Sequence, residues 1–345
     1  MPGEIATPGR GRGLKVLVTG GCGYVGSFVI RHLLDAGHTP VALDNLAAGH
    51  RWAAQEAELV VADLADQAGM EALLAAHRFD ACIHCAASIW VGQSVRDPAR
   101  YYLNNAGNAF RLWGLCAQHG VRHVVLSSTA AVYGEPDLEL IPETAPLAPI
   151  NPYGASKMMA ERALADTAAA AGMGHAILRY FNVAGADADA RIGEATPDNS
   201  HLIKVACETA IGLRPSMRIN GTDYPTPDGT CIRDYVHIDD LARAHLLARE
   251  RLAAGEQRFV ANCGYGHGFS VREVLDTARR VSGIDFPIEE GPRRPGDPPV
   301  LVAETSRIRT ELGWAPRHDD LEYIVATAWR WEQRLHAIRA GAPGH

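Results

Sequence analysis

Short apolar runs alternate with longer stretches of helical spacing through the first half of the chain. Residues 14–18, 40–44, 58–62, 81–85, 121–126 and 175–180 are brief and rich in Val, Leu and Ile, as buried strands are. After the first run, Phe28, Val29, Leu33 and Leu34 recur at helical steps, and residues 67–77, 98–119 and 152–171 do the same. This alternation predicts an α/β fold, a doubly wound parallel sheet with helices on both faces. Beyond Asn182 the rhythm breaks. Residues 185–200 are polar and loop-like, and Tyr224-Pro-Thr-Pro-Asp-Gly229 is rich in turn formers. Helices are predicted at 201–212, 238–251, 270–282 and 321–338, with short strands at 217–219 and 259–261. The division expected is a disordered leader at 1–13, a nucleotide-binding region at 14–182 and a smaller lobe at 183–345. Chain exchange between the last two is allowed for, and a substrate cleft is expected between them.

The first strand runs straight into Thr19-Gly20-Gly21-Cys22-Gly23-Tyr24-Val25-Gly26, and a helical pattern follows. Strand, glycine-rich turn and helix form the context of a Rossmann-type dinucleotide site. Glycines admit a pyrophosphate close to the backbone, and the helix amino terminus offers free N–H groups. The second strand ends in Asp44, about twenty residues on, where an acid binds ribose hydroxyls. Asn45 and Leu46 follow without a basic side chain to receive a 2′-phosphate, which favours NAD over NADP.

The formal net charge is -7 with no basic run, which excludes nucleic acid as a natural partner. No apolar stretch approaches the roughly 18 residues of a membrane helix. The leader carries Arg10 and Arg12 and no apolar core, so it does not read as a secretory signal, and a cytoplasmic protein is expected. Cys82-Ile-His-Cys85 has the look of a metal or redox pair, but residues three apart on a strand face opposite sides. With the other five of the seven cysteines scattered, no metal site is expected. His84, in the same strand, reads as a hydrogen-bonded core histidine.

Candidate chemistry gathers around Tyr153-Gly-Ala-Ser-Lys157 and Ser127-Ser128-Thr129. Tyr153 and Lys157, four apart, share a helix face. A lysine ammonium beside the phenol is expected to lower its pKa from about 10, so that it can take a proton from a sugar or alcohol hydroxyl. Pro152, after the proline-rich stretch 142–152, suits the first turn of that helix.

These segments together resemble the extended short-chain dehydrogenase/reductase family, in its sugar-nucleotide 4-epimerase branch. The resemblance covers nearly everything from Leu14 to Trp314. It includes Val41-Ala-Leu-Asp-Asn45, Asp63-Leu64, Ala86-Ala87, Tyr101-Tyr-Leu-Asn-Asn105, Ser127-Ser-Thr-Ala-Ala-Val-Tyr-Gly134, Asn151-Pro-Tyr-Gly-Ala-Ser-Lys157 and Arg179-Tyr-Phe-Asn-Val-Ala-Gly185. The segment from Gly221 to His237 is the most discriminating, and Arg293-Arg-Pro-Gly-Asp297 and Glu311-Leu-Gly-Trp314 complete the pattern.

The resemblance implies NAD-dependent interconversion of UDP-galactose and UDP-glucose through a 4-keto sugar. Tyr153, Lys157 and Thr129 would be catalytic, with Lys157 also on the nicotinamide ribose. NAD would lie along Gly20, Gly23, Tyr24, Val25, Gly26, Asp44, Asn45, Asp63, Leu64, Ala86, Ala87, Asn105, Ser127 and Tyr180. The UDP-sugar would meet Asn182, Leu202, Arg233, Arg294 and Asp297, the arginines offering paired donors to a diphosphate. Three positions depart from the pattern. Ile89 replaces a common lysine near the cofactor phosphates, Asn220 replaces a common aromatic near the uracil, and Leu301 leaves N-acetylated and pentose sugars open. A 4,6-dehydratase would need acidic and basic groups beside Thr129, where Ala130 and Ala131 stand. A non-catalytic NAD-binding scaffold would not need Tyr153 and Lys157. A homodimer is implied through helices 98–119 and 152–171.

Overall fold

Val16, Val18 and Ile83 turn to one face of their strands and Leu17 and Cys82 to the other, and both sets are fully buried. A strand covered on both faces needs no polar side, which is why these segments read as unbroken apolar runs. The computed structural model describes residues 13–197, 199–294 and 297–341. The expected leader at 1–13 lies, except for Gly13, outside those residues. The strands are β1 (Lys15–Thr19), β2 (Thr39–Asp44), β3 (Glu58–Val61), β4 (Ala81–His84), β5 (His123–Thr129) and β6 (Gly174–Tyr180). A seventh, Arg258–Cys263, adds beside β6, giving the order seventh–β6–β5–β4–β1–β2–β3 with every neighbour parallel. The chain reverses direction across the sheet between β1 and β4, and a crevice opens there at the carboxyl ends.

Two expectations need correction. The strand expected at 259–261 in the smaller lobe is this seventh strand of the main sheet, and the Ile238–Ala253 helix before it packs on the Tyr24–Asp35 helix. This strand and the helix before it are a return of the chain to the main sheet, the kind of exchange allowed for across residue 182. The single helix expected at 98–119 is broken into Pro98–Tyr101, a π-turn at Tyr102–Gly107 and Asn108–Gln118, and a short helix at Val91–Arg96 precedes it. A π-turn adds a residue to one turn and rotates every side chain beyond it.

The Pro152–Ala171 helix keeps its predicted bounds because its ends are marked locally. Pro152 stands in the first turn, the Asn151 side chain accepts from Gly154 N at 2.9 Å, and Gly172 closes the helix at φ +67°. The smaller lobe pairs Met217–Asn220 with Ile288–Gly291 and sets Ile232–Arg233 between Phe269–Ser270 and Val300–Leu301. The helices Leu202–Ala210, Val271–Ser282 and Leu321–Arg339 pack against one another around it. Among the described residues no helix is long and apolar enough to cross a membrane.

Candidate active site

The glycine-rich turn takes its shape from what its residues lack. Gly20 sits at φ +67°, and a β-carbon there would fall 2.7 Å from Ala86 N. A β-carbon on Gly26 would come within 2.1 Å of the Gly20 carbonyl oxygen. The turn can therefore close between β1, β4 and the Tyr24–Asp35 helix only with glycine at both places. Asp44, buried at the end of β2, accepts from Cys22 N at 3.0 Å and Leu46 N at 2.8 Å, so it ties the turn to the loop beyond β2. Asn45 donates to Asp63 at 2.8 Å, which joins the ends of β2 and β3. This is a bare backbone cradle with an acid beside it, and it fits a dinucleotide.

The cradle forms one end of a cleft of about 1230 Å³. The cleft brings together Gly20, Gly23, Tyr24, Val25, Gly26, Asp44, Asn45, Asp63, Leu64, Ala86, Ala87, Thr129, Tyr153, Lys157, Tyr180, Asn182, Leu202, Arg233, Arg294 and Asp297. It does not include Asn105 or Ser127. Asn105 is buried behind the wall, where it bonds both backbone groups of Ser88 and the Ser156 hydroxyl at 3.1 Å. Ser127 is buried against the His245 ring at 2.9 Å. These two residues brace the wall from behind. Asn104 does line the cleft, with its amide on the Ser88 hydroxyl at 3.1 Å. The pair Asn104-Asn105 marked the place, but the π-turn decides which of them faces inward.

Tyr153 and Lys157 reach the cleft from the start of the Pro152–Ala171 helix, and Thr129 from the end of β5, which runs three residues further than its apolar pattern. Glu161 locks that helix to the sheet, accepting from the Ser128 hydroxyl of β5 and from Arg179 of β6 at 2.6 Å. The expected lowering of the Tyr153 pKa is not found. Burial dominates and pushes the phenol above its ordinary 10, the Thr129 hydroxyl pulls it back in part, and Tyr101 adds to the rise. Lys157 is not among the groups acting on it. Burial draws Lys157 down to about 8, against the raising pull of Cys85 and Glu161. In a low-dielectric wall both charged forms are disfavoured, so the spacing of the two residues alone does not make a phenolate.

At the other end stand the arginines. Arg233 bonds Asp297 and the Ile232 carbonyl, the latter at 2.7 Å. The Asn220 amide, with its oxygen toward Arg294, accepts from Nη2 at 3.1 Å and Nε at 3.2 Å. Asn220 thus orients Arg294. Ile89 and Leu301 also line the cleft. Tyr24 donates to the Gly185 carbonyl at 2.6 Å, which ties the cradle to the segment after Ala184. Of the remaining sequence candidates, Cys82 is core, and Cys85, on the opposite face of the sheet, is half-buried and lines the cleft. His84 is core and bonds Thr19 at 2.7 Å, with burial lowering its pKa to about 3.

A backbone cradle for a dinucleotide, a tyrosine with lysine and threonine, and paired guanidiniums for an anion thus share one cleft. Known proteins match this chain throughout. A UDP-glucose 4-epimerase of Azospirillum brasilense is 53% identical over 333 residues, 96% of each chain. The structure of a UDP-glucose 4-epimerase from Brucella ovis in complex with NAD superposes with a TM-score of 0.90 at 42% identity, covering 92% of this chain and 98% of that one. A UDP-Glc/GlcNAc 4-epimerase from Campylobacter jejuni gives a TM-score of 0.83 at 47% identity, covering 93% and 99%. The model of one family spans residues 16–264, from the first strand through the seventh, and by that match the chain belongs to the NAD dependent epimerase/dehydratase family.

Proposed function

We propose that this protein is a UDP-glucose 4-epimerase, an isomerase that interconverts UDP-galactose and UDP-glucose. The observation that carries the reading is the single cleft in which Tyr153, Thr129 and Lys157 line the same space as the glycine cradle and Arg233 and Arg294. The cradle around Gly20 and Gly26, with Asp44 and the Asn45–Asp63 pair, would hold NAD. NAD held there would supply the acceptor, and later the donor, of the hydride on sugar carbon 4.

The chain's own work is positioning and proton transfer. Tyr153 takes the proton of the 4-hydroxyl as that carbon becomes a ketone, and gives it back once the keto sugar has presented its opposite face. Thr129, the hydroxyl that lowers the phenol's pKa, steadies the oxygen that loses the proton. Burial opposes the phenolate and the Thr129 hydroxyl offsets it in part, while Lys157, one turn along in the same cleft, would hold the nicotinamide ribose. Arg233 and Arg294 hold the diphosphate, and Asp297 orients Arg233. Ala130 and Ala131 line the cleft after Thr129 and carry neither acid nor base, which favours epimerisation over dehydration. The reading includes a homodimer, because Leu103, Phe110 and Met159 put apolar side chains on the outer surface of the helices from 98 to 118 and 152 to 171. Light scattering that finds only monomer would remove it.

Purified protein incubated with UDP-galactose and no added NAD should form UDP-glucose, followed by chromatography. Tyr153→Phe should lower kcat by about 10²–10⁴-fold, while thermal stability and retained NAD stay as in the wild type. Absence of conversion with and without added NAD would overturn the assignment.

A further inference from the structure

Behind the cleft, the Arg179 guanidinium reaches both sides of the Thr129–Tyr153 pair. Arg179 stands on β6 in register with Ser128 of β5, so that Thr129 falls beside Tyr180 one step on. Its Nε donates to both Glu161 carboxylate oxygens, at 3.1 and 3.2 Å, and Nη2 donates to one of them at 2.6 Å. Glu161 lies one turn beyond Lys157 and two beyond Tyr153 on their helix. The Ser128 hydroxyl, next in the chain to Thr129, donates to the same carboxylate. Nη1 serves other partners, the Tyr133 hydroxyl at 3.0 Å and the Glu143 carbonyl at 3.3 Å. Tyr133 closes the tight turn that follows Thr129, and it donates to Asn262 of the seventh strand at 2.7 Å. Glu143 belongs to the stretch leading into the helix, and its carboxylate accepts from Asn262 N at 2.8 Å. Arg179, Glu161, Ser128, Tyr133 and Asn262 are all buried, and none of them lines the cleft.

A buried ion pair is a poor way to gain stability, because apolar side chains of similar volume often hold a core as well or better. What a planar fork offers is fixed geometry. Its nitrogens hold the Tyr133 hydroxyl, and with it the Thr129 turn, at a set separation from the carboxylate on the Tyr153 helix. We propose that Arg179 and Glu161 are positioning residues of the reaction, fixing the Tyr153 helix against the Thr129 turn; this rests on the epimerase reading. The proton moves between Tyr153 and a sugar oxygen that Thr129 also meets. A misplacement of about 1 Å between the two therefore costs rate, of order 10²-fold, and not affinity. Charge adds to placement. Lys157 faces Glu161 from its own helix, and Cys85 and the neutral His84 ring from the β4 side. Glu161 favours the Lys157 ammonium, and Arg179 is not among the groups acting on it.

The test is a full-length double variant, Arg179→Met with Glu161→Leu, which removes both charges together and leaves no unpaired ion in the core. Its Tm and NAD content should stay near those of the wild type. In steady-state kinetics with UDP-galactose its kcat should fall about tenfold to hundredfold, with KM and the calorimetric affinity for UDP unchanged. Arg179→Lys keeps the charge but cannot span Glu161 and Tyr133 together, so it should hold Tm without holding kcat. The chain has three lysines, Lys15, Lys157 and Lys204, so carbon-13 at the ε-carbon follows Lys157 without turnover. In the double variant the Lys157 titration midpoint should fall, because Glu161 no longer favours the ammonium, while the other two signals stay in place. An unchanged kcat in the folded double variant, a loss carried by KM, a wild-type kcat in Arg179→Lys, or an unmoved Lys157 midpoint would each overturn the assignment. A wild type that converts no UDP-galactose, with a Lys157 midpoint that still answers to Glu161, would sink the epimerase reading and leave the placing of the helix standing.

Discussion

The two ends of the cleft are built from opposite materials. The cradle at residues 19–26 is contiguous and made of backbone, and it works because Gly20 and Gly26 leave no side chain between β1, β4 and the following helix. The far end is assembled from long side chains on separate segments, with Arg233 on a short strand and Asp297 sixty-four residues later. At the first end a single methyl group is an obstruction against atoms that cannot swing away. At the second, the exposed Arg294 can be lost and the surrounding fold still close, because its guanidinium is held by the Asn220 side-chain amide and is not wedged against backbone. Binding and stability are therefore coupled at the cradle and separable at Arg294.

The largest effect that can break this contrast is Gly26→Ala. Its β-carbon would lie 2.1 Å from Gly20 O and 2.8 Å from both Gly20 C and Gly21 Cα, all of them backbone. Overpacking of this kind costs about 1–3 kcal/mol and often more. The variant should show a lower Tm and release no NAD on acid denaturation. Retention of both would mean the turn is not rigid. Arg294→Ala comes next. Losing a charge-assisted contact should raise KM for UDP-galactose about tenfold to hundredfold, with Tm and NAD content unchanged. If NAD were lost as well, the ends would not be separable.

The smallest effect sharpens what lies between the two ends, at Lys157. Its folded-state pKa is about 8 against an ordinary 10.5. Below pH 8 the folded protein holds a buried cation, and the full cost is present. Between pH 8 and 10.5 the unfolded chain binds more protons than the folded one, so this contribution to stability rises with pH. Lys157→Met should therefore gain on the wild type near pH 7, and the gain should shrink as pH climbs above 8, measured as Tm across that range. A difference that stays constant with pH would show that burial of the charge is not the cause.

What could be read along the chain was whatever has a local cause. The apolar runs gave six strands because both faces of each are covered, and Pro152, Asn151 and Gly172 bounded their helix by capping alone. The choice between Asn104 and Asn105 was not legible, since one π-turn rotates a pair that periodicity treats alike. Nor was the place of residues 259–261. Parallel pairing joins strands distant in sequence, and an apolar run carries no mark of its partner.

By itself the sequence determined the sheet's alternation with helices, the glycine turn, the acid at residue 44 and the Tyr153–Lys157 spacing. All of these rest on steric or periodic rules acting within about twenty residues. Only the tertiary structure decided that the seventh strand returns from beyond residue 237 and that Ser127 and Asn105 brace the wall from behind. It also reversed the expected shift of Tyr153. A pKa answers to every group and every void around the side chain, and that surrounding exists only once distant segments have closed on it.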